Sequence, residues 1–204
     1  LLMLPVHYRD RRTEGMIEKV QEQFSAKELF RMCGNQAYAT NSLYQILALK
    51  KNEPEIWKHT AKILHIPDLV SYFLCGHAVC ERTIASTTQM LEPESRRWCS
   101  ELLERFRIPG EIFAPLTATG TLIGEYQGIK VIAVAGHDTQ SAGAAMTEDP
   151  ENTAFLNIGT WSLLGIEREK AILSEEGYEL GISNEQGPYG GIHCIMSMTG
   201  TWLL

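Results

Sequence analysis

A carboxylate flanked by an imidazole and a hydroxyl occurs in the second half of this sequence, in the triplet His-Asp-Thr at 137–139. Five apolar residues, 131–135, precede it, and the small residues Ser-Ala-Gly-Ala-Ala follow it at 141–145. The apolar run predicts a buried strand, and a helix is expected to begin at Asp138. Ligands of open α/β sheets collect where parallel strands end and helices begin, so this triplet is a candidate site.

Two interpretations of Asp138 are open from the residues alone. In the first, Asp138 and Thr139 are helix caps whose side chains satisfy free backbone N–H groups. In the second, Asp138 is a general base, held ionised by the helix N-terminus and able to accept a proton from an attacking hydroxyl. The two interpretations are compatible with each other. The small residues at 141–145 favour the second, since they let a ligand approach closely, although tight packing of a helix on a sheet explains them too.

Other chemistries lack their signatures. A serine nucleophile activated by His137 is not indicated, because Ser141 is not part of an elbow motif. A single histidine is more often structural. The six histidines show no HxxxH or HExxH spacing, so the metal-site signal is weak. The sequence also contains neither GxxxxGK[ST] nor GxGxxG, the usual nucleotide fingerprints.

A second candidate feature is Gly159-Thr160, which divides the apolar segment 153–166 into two halves. This pattern predicts a tight β-hairpin. The tip of such a hairpin can present backbone N–H groups and one hydroxyl to a phosphate, although most Gly-Thr tips are plain turns.

The helices and strands that position these residues are predicted from the spacing of apolar residues and from the residues that interrupt it. Apolar residues recur every three to five positions, and residues typical of helix ends flank them. This pattern predicts helical stretches at 14–33, 41–65, 67–76 and 95–108. Glycine, threonine and isoleucine after Pro115 predict turns and short strands. The succession of helices, strand, small helix and hairpin predicts an α/β fold with a mixed sheet. The polar link 148–152 predicts a domain boundary, which divides the chain into 1–149 and 150–204.

Composition excludes some partners. Lys and Arg number 18 against 25 Asp and Glu, a net charge of −7. We therefore expect no nucleic-acid or anionic-membrane partner, because both need a cationic surface. The sequence has no apolar run near the roughly 18 residues of a membrane span. Its five cysteines form no CxxC pair, which indicates reduced thiols and a cytoplasmic location.

The two candidate motifs together are more specific. GHDTQSAGAAM (136–146) and NIGTWSLLGIE (157–167), with 22 positions from Asp138 to Thr160, resemble the FGGY carbohydrate kinase family. The resemblance is greatest to the members that phosphorylate L-rhamnulose. Further matching segments extend it over nearly the whole chain: YRDRRTEG (8–15), SLYQILALKK (42–51), PDLVSYFLCG (67–76), ERTIASTTQMLEP (81–93), PLTATGTLIGE (115–125), NEQG (184–187) and GTWLL (200–204).

The resemblance implies an actin-like fold of two ribonuclease H-like α/β domains with a cleft between them. Residues 1–149 would be the C-terminal part of the first domain, and residues 150–204 the start of the second. The implied reaction is ATP-dependent phosphorylation of a ketose, L-rhamnulose, to its 1-phosphate, with Mg²⁺ as the metal. Closure of two domains would exclude water, so that ATP is not hydrolysed.

The resemblance also implies residue roles. Asp138 falls at the family's catalytic base, and Gly159 and Thr160 fall at contacts to ATP phosphate. The remaining implied residues are sugar contacts: Tyr38, His137, Thr139 and Ser197. Ser197 stands where an asparagine is expected, and Gly136 stands where serine is frequent.

These departures keep other ketoses, such as L-fuculose or D-xylulose, open as substrates. A non-catalytic, actin-like sugar-binding protein is the alternative from another class, and retention of Asp138 argues against it. The first residue is Leu1, and the last residues are Trp-Leu-Leu, so we expect a piece of a longer protein. The family's phosphate loop and adenine-binding region would then lie outside the chain, which by itself would be inactive, and its last ~50 residues would lack partner strands.

Overall fold

A computed structural model describes residues 1–7, 10–145, 149, 152–159 and 161–200. The α-helices are α1 Met16–Gln21, α2 Ala26–Cys33, α3 Ser42–Asn52, α4 Pro54–Lys58, α5 Ile66–Cys75, α6 Arg82–Ala85, α7 Ser100–Arg105, α8 Asp138–Gly143 and α9 Glu175–Glu179. The strands are β1 Cys80–Glu81, β2 Leu116–Thr117, β3 Leu122–Tyr126, β4 Ile129–Ile132, β5 Ala154–Ile158, β6 Trp161–Arg168, β7 Ile182–Gln186 and β8 Ile192–Thr199. Short 3₁₀ turns occupy Arg11–Thr13, Ser86–Thr88 and Gly110–Ile112.

The predicted helical stretch 14–33 is two helices rather than one. Ser25 begins α2 with a capping box, because its side chain accepts from the Glu28 N–H while the Glu28 carboxylate accepts from the Ser25 N–H. This pair was readable in the sequence as Ser-x-x-Glu. Gly34 ends α2 as expected, with φ of 74°, a left-handed conformation that glycine adopts without strain.

Ser25→Ala should lower the free energy of unfolding by about 1 kcal/mol, since the first turn of α2 loses its side-chain cap. Urea-induced unfolding of the 204-residue chain measures the change. Ser100→Ala is the matched control, because it removes the same hydroxyl near the start of another helix. Ser100 is the first residue of α7, whose cap residue makes no side-chain hydrogen bond. Equal stabilities of the two variants would contradict the role given to the cap.

The main hydrophobic core lies among the helices of the first half. Side chains from α1, α2, α3 and α7 form it, and Leu29, Leu43, Tyr44 and Leu102 are fully buried. Helix α7 is shorter than the predicted 95–108, because the chain before it turns back so that Leu91 and Trp98 pair in an isolated bridge. This core therefore lies in the helical first half of the chain.

The apolar run 131–135 is not the buried strand that the sequence predicts. Strand β4 ends at Ile132, and among the described residues it pairs with β3 alone, in an antiparallel hairpin. Helix α5 contacts both strands. Because the hairpin is covered on one side, Ala133 and Ala135 are buried while Ile132 and Val134 are 47% and 64% exposed. Asp138 therefore follows an irregular stretch rather than the end of a parallel strand.

The last part of the described chain is a four-stranded antiparallel sheet in the order β5-β6-β8-β7. The predicted hairpin is confirmed, since β5 and β6 pair from Ala154 with Ile166 to Ile158 with Ser162. A mixed sheet is not seen in the described residues, where the parallel pair β1-β2 and the antiparallel ladders are separate. Helices and sheets together make the fold α/β, as predicted.

Strand β7 joins the sheet to the helical half. The backbone N–H of Asn184 donates to the carbonyl of Gly34 at 2.8 Å, and the Gln186 N–H donates to the Ser86 hydroxyl at 2.9 Å. The division into 1–149 and 150–204 stays a prediction. Among the described residues, no helix has the length and apolar character to cross a membrane.

Candidate active site

The His-Asp-Thr triplet lies at the start of α8, as predicted. His137 is in the cap position and Asp138 is the first helical residue. Oδ1 of Asp138 accepts the Thr139 N–H at 2.8 Å, but the Asp138 side chain is fully exposed. Thr139 is buried. The carboxylate thus contributes one bond to the helix start and remains accessible to a ligand, which accommodates both interpretations of Asp138.

His137 is held in place by a buried carboxylate. Nδ1 of His137 donates to Oε2 of Glu185 at 2.7 Å, and Nε2 of Gln140 donates to the same oxygen at 2.8 Å. Glu185 lies in β7 and is buried, as is Gln140. Since Nδ1 serves Glu185, the ring turns its other nitrogen towards Asp138, with Nε2 to Oδ1 at 3.9 Å.

His137 and Glu185 each favour the charged form of the other. Burial by itself lowers the pKa of His137, but attraction to Glu185 and their hydrogen bond outweigh it and raise that pKa above 6.5. Burial likewise raises the pKa of Glu185, but His137 and Gln140 outweigh it and lower that pKa below 4.5. His137 therefore holds its proton more firmly than a free imidazole does.

The sheet continues this polar cluster. His193, on β8, lies opposite Glu185 of β7 on one side and opposite Glu167 of β6 on the other. Nε2 of His193 is 3.5 Å from the Glu167 carboxylate. Burial lowers the pKa of His193, and attraction to Glu167 only partly offsets this. Helix α8 covers this face closely, because a Cβ at Gly143 would lie 3.0 Å from the His193 ring. A small residue at 143 is thus a packing requirement beneath the site.

Glu185→Gln should destabilise the chain by about 1.5–3 kcal/mol at about pH 5.5, the worth of a hydrogen bond to a charged group, and by less at about pH 9. The raised pKa of His137 gives stability that is complete below its ordinary value of 6.5 and is lost as pH rises through the folded pKa. The lowered pKa of Glu185 gives stability that is present above 4.5 and is lost in acid. The pair therefore contributes most between these values.

Urea unfolding at both pH values measures this difference. Glu125→Gln is the matched control, because Glu125 is exposed on β3 and loses the same charge. Equal losses for Glu185→Gln at the two pH values would show that the ion pair does not contribute.

A second buried acid, Glu81, holds the loop before the triplet. Its Oε2 accepts the N–H groups of Thr83 and Gly136, both at 2.9 Å, and its Oε1 accepts the Thr119 hydroxyl at 2.7 Å. The His137 N–H in turn donates to the Thr83 hydroxyl at 3.2 Å. Glu81 thereby fixes the backbone on the N-terminal side of Asp138.

The structure does not show the other predicted sugar contacts at the triplet. Tyr38 is 38% exposed in the loop before α3, where its N–H donates to the Asn41 side chain at 2.6 Å. Ser197 is half-buried on β8, on the same face as His193 and about 13 Å further along the strand by the usual rise per residue. Gly159 ends the β5 side of the hairpin, where its N–H donates to the Trp161 carbonyl at 2.9 Å. Thr160 lies outside the described residues.

Sequence reasoning assigned no role to Glu81 or Glu185. Both lie in segments that resemble the family, 81–93 and 184–187. The sequence signal was weak: each acid lies in a short segment with polar neighbours, Arg82 beside Glu81 and Asn184 and Gln186 beside Glu185, which does not indicate a buried carboxylate. Their partners in the site, His137 for Glu185 and Gly136 for Glu81, are 48 and 55 residues away in sequence.

Comparison with known proteins adds to this geometry. Residues 2–155 match the N-terminal domain of the FGGY family of carbohydrate kinases. The rhamnulokinase of Bacteroides thetaiotaomicron is 38% identical over 100% of this chain and 44% of its own length. That of Enterobacter sp. (strain 638) is 37% identical over 98% of this chain and 42% of its own length. The chain thus spans less than half of these relatives.

Solved structures agree on the fold. The xylulose kinase of Rhodospirillum rubrum superposes with a TM-score of 0.84 at 17% identity, over 98% of this chain and 42% of that one. The Plasmodium falciparum glycerol kinase with ADP has a TM-score of 0.82 at 19% identity, over 98% and 44%. The fold is the actin-like α/β fold of sugar kinases. With the family match over residues 2–155, the chain belongs to the FGGY family of carbohydrate kinases.

Proposed function

We propose that the polypeptide containing this chain transfers the γ-phosphoryl group of ATP to the terminal hydroxyl of L-rhamnulose, with Asp138 as general base. The observation that carries the proposal is the exposed Asp138 carboxylate beside His137, which buried Glu185 holds in one orientation. A carboxylate that served only as a helix cap would not require an anchored imidazole next to it.

The residues suit phosphoryl transfer to an alcohol. This reaction needs an ordered hydroxyl, an acceptor for its proton, and cationic or N–H groups around the phosphate. His137, charged over a wider pH range by Glu185, would donate a hydrogen bond to a sugar oxygen. Asp138 would take the proton of the reacting hydroxyl as the new O–P bond forms.

The nucleotide and metal belong to the proposal as well. ATP with Mg²⁺ supplies the phosphoryl group and neutralises its charge. The tip of the β5–β6 hairpin, Gly159 and Thr160, would contact the ATP phosphates. We place the reaction in the cytoplasm, where ATP is available.

Sugar recognition is assigned by the same proposal to Tyr38, His137, Thr139 and Ser197. The relatives named rhamnulokinase support L-rhamnulose as the ketose. Because Ser197 stands where an asparagine is expected, L-fuculose and D-xylulose are the competing substrates.

A coupled ADP-release assay tests the function on a polypeptide of the relatives' full length that contains this sequence. With Mg²⁺ and ATP, we expect kcat/KM for L-rhamnulose to exceed that for L-fuculose and D-xylulose. A higher value for one of those would overturn the substrate. Sugar binding without ADP release would instead support a non-catalytic sugar-binding protein. The 204-residue chain alone is expected to release no ADP.

A further inference from the structure

Three side chains of the types that bind transition metals converge away from the triplet. His65 caps α5, Asp68 lies in the first turn of α5, and Cys80 begins β1. Their ligand atoms all lie within 4.8 Å of one another. Asp68 and Cys80 are 3% and 2% exposed. This cluster, His65-Asp68-Cys80, is therefore a buried set of one nitrogen, one oxygen and one sulfur.

Hydrogen bonding accounts for only part of the arrangement, because the Cys80 thiol can donate to Nδ1 of His65 while the Asp68 carboxylate lies too far from that nitrogen for a hydrogen bond. Nδ1 of His65 lies 3.6 Å from the Cys80 sulfur and 3.7 Å from the Asp68 carboxylate, so the same nitrogen faces both partners. One nitrogen carries at most one proton, and 3.7 Å is too long for an N–H···O bond. A relay from thiol through imidazole to carboxylate would use the two ring nitrogens separately. Here both contacts use the same ring nitrogen, and all three ligand atoms lie within 4.8 Å of one another.

The spacings fit a tetrahedral cation site. With Zn–S near 2.3 Å, Zn–N near 2.0–2.1 Å and Zn–O near 2.0–2.2 Å, tetrahedral geometry separates N from S by about 3.6 Å and N from O by about 3.4 Å. The observed separations are 3.6 and 3.7 Å. The backbone also orients the Asp68 carboxylate, since both of its oxygens accept the Glu81 N–H, at 3.2 and 3.3 Å. Such outer support is typical of metal ligands.

We propose that His65, Asp68 and Cys80 bind a borderline-soft divalent cation of the zinc type, with water as the fourth ligand. A dication with one thiolate, one carboxylate and a neutral imidazole has no net charge, the state that a buried site tolerates. The His65 side chain is 16% exposed, so the cluster is not fully closed to solvent. The ion would tie α5 to β1, one residue before Glu81. The inference is independent of the proposed function.

Metal binding to the 204-residue chain tests the site directly. The reduced, metal-free chain is titrated with Zn²⁺ by calorimetry, and with Co²⁺ by absorption spectroscopy. We expect one Zn²⁺ per chain, a thiolate-to-cobalt charge-transfer band and the intense visible bands of tetrahedral Co²⁺. Cys80→Ser should remove the charge-transfer band and weaken Zn²⁺ binding by more than the roughly 10–100-fold that loss of a supporting residue costs.

The controls separate this cluster from the other thiols. Cys75→Ser changes the half-buried thiol on the same helix, and Cys99→Ser changes a buried thiol in the helical core; both should bind as the original chain does. His65→Gln provides a second ligand loss at a partly exposed position, with circular dichroism of each metal-free variant as the folding check. Absence of one-to-one binding, or a charge-transfer band that survives Cys80→Ser, would overturn the proposal.

Discussion

Asp138→Asn should reduce kcat of the proposed sugar kinase by roughly 10²–10⁴-fold, the usual contribution of a general base, while ketose affinity stays near the original value. The amide cannot accept the proton of the reacting hydroxyl, so the chemical step loses its base. Binding is retained because the amide oxygen still accepts hydrogen bonds from a sugar hydroxyl.

Asparagine also distinguishes the two interpretations of Asp138. Oδ1 of Asp138 accepts the Thr139 N–H at 2.8 Å, and an asparagine oxygen makes the same bond at a helix start. If capping were the whole role of Asp138, Asp138→Asn would keep both its stability and its turnover. A large loss of kcat without a loss of stability therefore assigns the role to chemistry.

The measurement uses the full-length polypeptide with saturating ATP, Mg²⁺ and L-rhamnulose, and a separate titration of the sugar by calorimetry. Glu125→Gln is the control, because it removes one charge from an exposed carboxylate on β3, away from the triplet in sequence. A near-original kcat for Asp138→Asn would refute Asp138 as the base. Loss of sugar binding together with kcat would make Asp138 a binding residue instead.

Local signals predicted the elements well where a single residue type determines the backbone. Gly76, with φ of 74°, ends α5 as expected, and the start of α8 at Asp138 and the β5–β6 hairpin are also confirmed. Each of these depends on residues within a few positions. The break before Ser25 was missed although its capping signal was present, because apolar spacing continues through 14–33.

Contacts between distant residues could not be predicted in this way. Whether the run 131–135 is buried depends on what covers β4, and neither the run nor its neighbours encodes that. The same holds for the site: the sequence indicates that His137 and Asp138 are adjacent, but not that Glu185 and Glu81 lie behind them. The resemblance to the family marked both segments without giving a role to either acid.

Glu81→Ala should lower the free energy of unfolding by about 3–5 kcal/mol, because it leaves donors of one buried and two half-buried residues without an acceptor at once. Glu81 is 1% exposed, and its carboxylate accepts the N–H groups of Thr83 and Gly136 and the Thr119 hydroxyl. A buried donor without an acceptor costs about 1–3 kcal/mol, a half-buried donor costs less, and the vacated space adds a cavity. We expect amide hydrogen exchange to rise at Gly136 and His137 while α3 remains protected.

A graded series gives the same prediction a sharper test. Glu81→Gln should cost less than Glu81→Ala, since an amide oxygen can still accept from Thr83 and Gly136, and the Thr119 hydroxyl can turn to accept from the amide nitrogen. Exposed Glu94→Ala should be within about 0.5 kcal/mol of the original chain. Urea unfolding ranks the three variants, and Glu81→Gln keeps the test valid if Glu81→Ala does not fold. A Glu81→Ala chain as stable as Glu94→Ala would mean that the donors around Glu81 find water, and that the backbone before Asp138 is fixed by something other than this carboxylate.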